Sequence, residues 1–148
     1  MLIKAVNNQY VDYVGEDAVE LNDGEKVSFP LIQQQFGKYI RVSDDGTIIK
    51  ISLPGTYIIH YNANVMNNMS NNKVAISKLQ SDGKDVLGAS AMATVGESEF
   101  ENISFTTTIT IPCSCCDEHY KELTIVNAGN PMTYQSRNIV VERVNKRI

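Results

Sequence analysis

The fold of this chain is decided by residues 47–65, which read TIIKISLPGTYIIHYNANV. Apolar and polar side chains alternate on both sides of Pro54-Gly55, which predicts two β-strands joined at that turn. Because successive side chains of a strand point to opposite faces, the second strand carries two rows. One row is Tyr57, Ile59, Tyr61, Ala63 and Val65, and the other is Ile58, His60, Asn62 and Asn64. We expect the first row to face a core and the second to face a partner.

Composition and charge are those of an ordinary soluble domain. The chain has 148 residues, and its hydrophobic content of 43% is enough for one domain with a sizeable core. The formal net charge of -4 argues against a nucleic-acid partner. No apolar run approaches the roughly 20 residues of a membrane helix, and residues 1–6 are too short for a signal peptide. We therefore expect synthesis in a cytoplasm and no membrane partner.

Short runs of β-forming residues fill the chain, separated by Gly, Pro, Asn and Asp. The predicted strands are Leu2–Val6, Gln9–Val14, Lys26–Leu31, Tyr39–Val42, Thr47–Leu53, Thr56–Met66, Lys73–Gln80, Val86–Ala93, Asn102–Ile111, Glu122–Asn127 and Asn138–Val144. Residues 18–21 and 30–35 suggest single helical turns. Many short, closely spaced strands predict a sandwich, a jelly roll or a barrel.

The motif around Pro54-Gly55 resembles that of a known fold family. It resembles the trimeric jelly roll of tumour-necrosis-factor (TNF) ligands and complement-type globular heads. In that family too, a strand leads into a Pro-Gly turn, which is followed by one spacer residue and a Tyr-rich alternating strand. Looser matches are Val74–Leu79, Ile103–Ile111, Leu123–Val126 and Ile139–Val144. The resemblance starts at Lys26 and implies an all-β, antiparallel, TNF-like jelly-roll sandwich of about ten strands.

The resemblance also suggests how the chain is divided. Residues 26–148 would form the jelly-roll domain. Residues 1–25 are more acidic and alternate less clearly, so we predict an N-terminal arm or attachment segment there. Such an arm would either pack elsewhere or pair on a sheet edge, because termini stay disordered unless something holds them.

In the resembled fold, one sheet contacts neighbouring subunits around a three-fold axis, which assigns roles to the two rows. The implied core residues are Tyr57, Ile59, Tyr61, Phe105 and Ile109. The implied trimer-interface residues are Ile58, His60, Asn62, Thr106, Thr108 and Thr110. The alternative is a plain solvent face, since an exposed antiparallel sheet also alternates. Near a three-fold axis, His60 would either hold a metal or anion with its two copies or donate a hydrogen bond across the interface.

One cluster has the side chains of a zinc site. Cys113, Cys115, Cys116 and His119 supply thiolates and an imidazole within seven residues. Adjacent Cys115 and Cys116 would strain a single tetrahedral site, so half-buried thiols in a loop are the favoured alternative. The sequence contains no nucleophile elbow, phosphate loop or dinucleotide motif. We predict no enzyme activity, no catalytic residue, no metal and no cofactor.

Two classes of function remain. The closing runs LTIVN (123–127) and NIVVERV (138–144) resemble those of spore-surface glycoprotein heads and of tailed-phage decoration or head-fibre proteins. Because the sequence contains no collagen-like Gly-X-Y run, we favour a homotrimeric virion protein. It would be assembled in the host cytoplasm and would dock on the major capsid protein or another virion component. The alternative is a receptor- or glycan-binding head whose loops Asn64–Asn72 and Gly129–Arg137 carry recognition.

Overall fold

The computed structural model of the chain describes residues 8–113 and 120–144. These residues form β-strands and no helix. The eleven strands are β1 (Tyr10–Gly15), β2 (Val19–Leu21), β3 (Leu31–Phe36), β4 (Ile40–Val42), β5 (Ile49–Ile51), β6 (Gly55–Met66), β7 (Lys73–Ser81), β8 (Lys84–Val95), β9 (Phe100–Ile111), β10 (Lys121–Asn127) and β11 (Met132–Arg143).

The strands form two antiparallel sheets. The six-stranded sheet has the order β3-β1-β11-β6-β9, and β2 also pairs with β11. The five-stranded sheet has the order β4-β5-β10-β7-β8. Most neighbours in space are distant in sequence, as in a jelly roll. The predicted all-β jelly-roll sandwich is confirmed.

The turn at Pro54 carries the chain from one sheet to the other, since β5 belongs to the five-stranded sheet and β6 to the six-stranded sheet. Gly55 has φ 145°, which favours glycine, and a Cβ there would lie 2.6 Å from Nε of Arg143. The guanidinium of Arg143 donates to the Pro54 carbonyl at 2.9 Å from Nη2. The start of β6 is thereby fastened to the end of β11.

The core lies between the sheets and is built around the inner row of β6. Tyr57, Ile59 and Tyr61 are at most 1% exposed, and Phe105 and Ile109 of β9 are also buried. The Tyr61 ring packs edge-on against Phe29, with ring centroids 6.1 Å apart. Burial of each such side chain contributes about 1.5–3 kcal/mol to folding.

Two of the predicted local structures are wrong. Residues 30–35 are not a helical turn, because Leu31–Phe36 forms β3 and pairs with β1. Residues 18–21 are not one either, because Val19–Leu21 forms β2 and pairs with β11. Pairing with a distant strand overrides weak local preference in both places.

The N-terminal boundaries also differ from the prediction. The predicted strand Lys26–Leu31 is not one, because residues 26–30 lie outside the strands and Leu31 begins β3. Lys26 makes one bridge to Val126, and Val27 donates its backbone N–H to the Ile125 carbonyl at 2.8 Å. The predicted strand Leu2–Val6 lies outside the described residues. Within the predicted arm, β1 and β2 both pair with β11, so this part belongs to the six-stranded sheet. Whether it also attaches the protein to another molecule stays a prediction.

Candidate assembly face

The outer row of β6 lies on the face of the six-stranded sheet that points away from the core, which we call the assembly face. In the antiparallel register, Ile58 lies opposite Thr108, His60 opposite Thr106 and Thr56 opposite Thr110. The predicted interface residues share this face, and all are exposed or partly exposed: Ile58, His60, Asn62, Thr106, Thr108 and Thr110. The register therefore brings the two predicted rows together as one surface.

Side chains on this face are hydrogen-bonded to one another across the strands. Nδ1 of His60 lies 3.0 Å from Oγ1 of Thr106, and Oγ1 of Thr56 lies 3.1 Å from Oγ1 of Thr110. Each pair joins β6 to β9 directly. Such cross-strand pairs stabilise a sheet by roughly 0.2–1 kcal/mol each. They also hold the side chains in one arrangement before any partner arrives.

A chain of amides continues this pattern over four strands. Nδ2 of Asn102 donates to Oδ1 of Asn62 and to Oδ1 of Asn64, the latter at 2.8 Å. Nδ2 of Asn62 donates to Oδ1 of Asn138 at 3.2 Å. Nδ2 of Asn138 donates in turn to Oδ1 of Asp12 at 3.4 Å. The polar half of the assembly face is thus linked laterally from β9 to β1.

Sequence reasoning missed the apolar half of this face. Tyr10, Phe36, Ile58 and Val144 help to line a concavity of about 830 Å³ at one end of the sheet, together with Glu142, which lies between Tyr10 and Ile58 in the register. Phe36 is 53% exposed there. The alternation of β1 was a usable signal for Tyr10, but the mistaken helical turn at residues 30–35 hid β3 and with it Phe36.

This combination suits burial against another protein surface. A polar group that loses water without finding a partner costs about 1–3 kcal/mol. On the assembly face, His60 and the four amides already have partners within the chain, which lowers that cost. Exposed apolar side chains beside them would gain from burial.

The candidate zinc cluster, for which the sequence favoured loop thiols instead, stays untested. Cys113 is exposed and free, whereas Cys115, Cys116 and His119 lie outside the described residues. In residues 8–113 and 120–144, no group of three His, Cys, Asp or Glu side chains is placed to hold a metal ion. The same part of the chain contains no helix long and apolar enough to cross a membrane.

No protein-family model and no curated protein matches the sequence. Solved structures do match. The Eiger TNF of S. frugiperda has a TM-score of 0.71 at 7% identity, with 95% of each chain covered. The globular domain of a zebrafish complement 1qA protein has a TM-score of 0.66 at 10% identity, covering 95% of this chain and 99% of the other.

This chain has the TNF-like jelly-roll fold. The PRD1 vertex protein P5 matches as well, with a TM-score of 0.51 at 14% identity, covering 93% of this chain and 97% of that protein. The neighbours thus include a TNF protein and a complement head, as the resemblance at Pro54-Gly55 implied, and a phage vertex protein. At these identities the likeness concerns the fold alone.

Proposed function

We propose that this protein is a homotrimeric structural subunit on the surface of a tailed-phage particle, as capsid decoration or the base of a head fibre. The observation that carries the proposal is the assembly face, where His60 and the amides are already paired and, among the described residues, a mainly apolar concavity lies beside them. A surface of this kind is prepared for a protein partner. The TNF-like fold makes a second copy of the chain the favoured partner.

The arrangement of polar side chains and concavity on the assembly face suits a ring of identical chains. The polar side chains of β9 lie at one edge of the six-stranded sheet, whereas the concavity lies toward β3 and β1 near the other edge. A contact between two different surfaces of the same chain is head-to-tail, and it closes into a ring when the rotation allows. Ile58, His60, Asn62, Thr106, Thr108 and Thr110 would then be covered by neighbouring copies.

The place on a particle is supported by the phage vertex protein among the structural neighbours and by the sequence resemblance to phage decoration proteins. The partner would be the major capsid protein or another virion component, met after assembly in the host cytoplasm. The work we propose for this protein is mechanical.

Two measurements test the trimer and the place on a phage particle separately. Light scattering after size-exclusion chromatography should give three times the 16.4 kDa mass of the chain. A single-chain mass at micromolar concentration contradicts the trimer. Immunogold labelling of particles made from the genome that encodes the chain should decorate the capsid, and unlabelled capsids contradict the virion role.

A further inference from the structure

A basic patch lies on the opposite side of the molecule, on the outer face of the five-stranded sheet. Arg41 of β4 and Lys50 of β5 are direct cross-strand partners, and both are exposed. Tyr120, just before β10, is 42% exposed and lies beneath the Lys50 ammonium. We define the basic patch as Arg41, Lys50 and Tyr120, with Lys38 and Tyr39 at its margin.

Among the described residues, one acidic side chain lies beside these cations: Glu122 of β10 is the cross-strand partner of Lys50 on the side away from Arg41. Like charges directly opposite each other in a sheet are destabilising. Among the described residues, the ion pairs are Lys78–Asp85 and Arg137–Asp17, so neither Arg41 nor Lys50 has an acidic partner within 4.0 Å. Arg41 lies on the edge strand β4 with Lys50 as its cross-strand partner, so among the described residues the sheet gives the Arg41 charge no acidic cross-strand neighbour.

The patch is also held in shape. Nζ of Lys50 lies 4.1 Å from the centre of the Tyr120 ring, which is a cation–π contact. Nζ of Lys38 lies 5.4 Å from the centre of the Tyr39 ring. The rings therefore position two ammonium groups, while the phenolic hydroxyls add hydrogen-bond donors. An anionic ligand would lose little affinity to the ordering of these side chains.

We propose that the basic patch binds a carboxylate-bearing glycan. A guanidinium donates two parallel hydrogen bonds to a carboxylate, and an adjacent ammonium and hydroxyl suit the remaining oxygens of a sugar acid. With strands about 4.8 Å apart and alternate residues about 6.8 Å apart, the patch has the size of a short oligosaccharide. Nucleic acid would need a longer basic surface and a more positive protein.

This site is independent of the proposed trimer. The patch belongs to the five-stranded sheet and the assembly face to the six-stranded sheet, so a ring built through the assembly face leaves the patch open to solvent. Loops Asn64–Asn72 and Gly129–Arg137, the recognition segments considered from the sequence, are not part of it. Glycan binding and oligomeric state can therefore fail separately.

The test is binding of the full chain to immobilised oligogalacturonate and polysialic acid, with fully methyl-esterified oligogalacturonate as the uncharged match. We expect binding to a carboxylate glycan and none to the ester. Arg41→Gln and Lys50→Gln should each weaken binding about tenfold or more, since each removes a charge-assisted contact. Lys84→Gln, which removes an exposed charge on β8 of the same sheet, should leave binding unchanged.

Several results would overturn the proposal. Binding to neither acidic glycan would do so, as would equal losses in Arg41→Gln, Lys50→Gln and Lys84→Gln, which would indicate unspecific attraction. If a DNA oligonucleotide binds more tightly than the glycans and is equally weakened by Arg41→Gln, the ligand of the patch is nucleic acid and not a glycan. Thermal unfolding of each variant, and its mass by light scattering, identify a loss caused by misfolding or by a change of assembly.

Discussion

At the scale of single residues, Arg137 ties the N-terminal strands to the rest of the sheet. Its side chain is nearly fully buried, and its guanidinium donates to the carbonyls of Asp17 at 2.6 Å, Ser28 at 2.7 Å and Gln135 at 2.9 Å. It also pairs with the Asp17 carboxylate at 3.1 Å. One side chain thus holds the segments before and after β2, because a guanidinium offers five donors in a fixed fork.

Replacing this residue should destabilise the fold. Arg137→Ala leaves the Asp17 and Ser28 carbonyls without their donor, and we expect the free energy of unfolding to fall by about 3–5 kcal/mol. Arg137→Lys should retain only part of the lost stability, since an ammonium cannot reproduce the forked donor geometry of the guanidinium. Urea denaturation followed by circular dichroism measures both. The control is Arg41→Ala at an exposed position, which we expect to change the free energy of unfolding by less than about 0.5 kcal/mol. Similar losses at both positions would contradict the role assigned to Arg137.

At the scale of elements, a hydroxyl group joins the two sheets through the core. Oγ of Ser77 on β7 lies 3.0 Å from the Tyr61 hydroxyl of β6 and 3.1 Å from the Tyr134 hydroxyl of β11. Burial raises the pKa of Tyr61, and burial likewise raises the pKa of Tyr134, so both phenols stay protonated at neutral pH. These hydrogen bonds form a polar contact between the two sheets inside a mainly apolar core.

Removing the central hydroxyl should weaken the contact between the sheets. Ser77→Ala leaves the buried hydroxyls of Tyr61 and Tyr134 without this hydrogen-bond partner. It should therefore lower the free energy of unfolding by about 1–3 kcal/mol. Adding Tyr134→Phe to that variant should cost less than Tyr134→Phe costs in the unaltered protein, because its partner is already gone. A thermodynamic cycle from denaturant titrations measures this coupling. Ser90→Ala on the exposed side of β8 serves as the control. If the losses of Ser77→Ala and Tyr134→Phe simply add in the double variant, the proposed hydrogen-bonded link is wrong.

The elements also differ in how far the sequence predicts them. The two rows of β6 are visible because one side of that strand is fully buried, which forces strict alternation. The run LIQQQF of β3 has no such pattern, since most of its side chains are exposed, and only pairing with β1 makes it a strand. The amide chain was invisible for another reason: Asn62 meets Asn138 through the register of strands distant in sequence, which no local pattern encodes.

At the scale of the whole molecule, the two broad faces carry different chemistry. The six-stranded sheet presents hydrogen-bonded polar side chains and a mainly apolar concavity, whereas the five-stranded sheet presents the neighbouring cations Arg41 and Lys50. A protein with such faces can assemble through one and remain in contact with its surroundings through the other. Both proposals follow from that division, and the first can be tested by altering one side chain.

Ile58 is the side chain to alter, because it belongs to the outer row of β6 and also lines the concavity. Ile58→Glu introduces a charge that a covered face cannot hydrate, so we expect the trimer to dissociate and the mass by light scattering to fall to that of one chain. Because Ile58 is partly exposed and lies outside the core, we expect the variant to keep the fold of the single chain, which circular dichroism verifies. Met92→Glu, on the opposite sheet and 67% exposed, should leave the mass of the trimer unchanged. A trimer that survives Ile58→Glu but not Met92→Glu would place the contact on the five-stranded sheet instead.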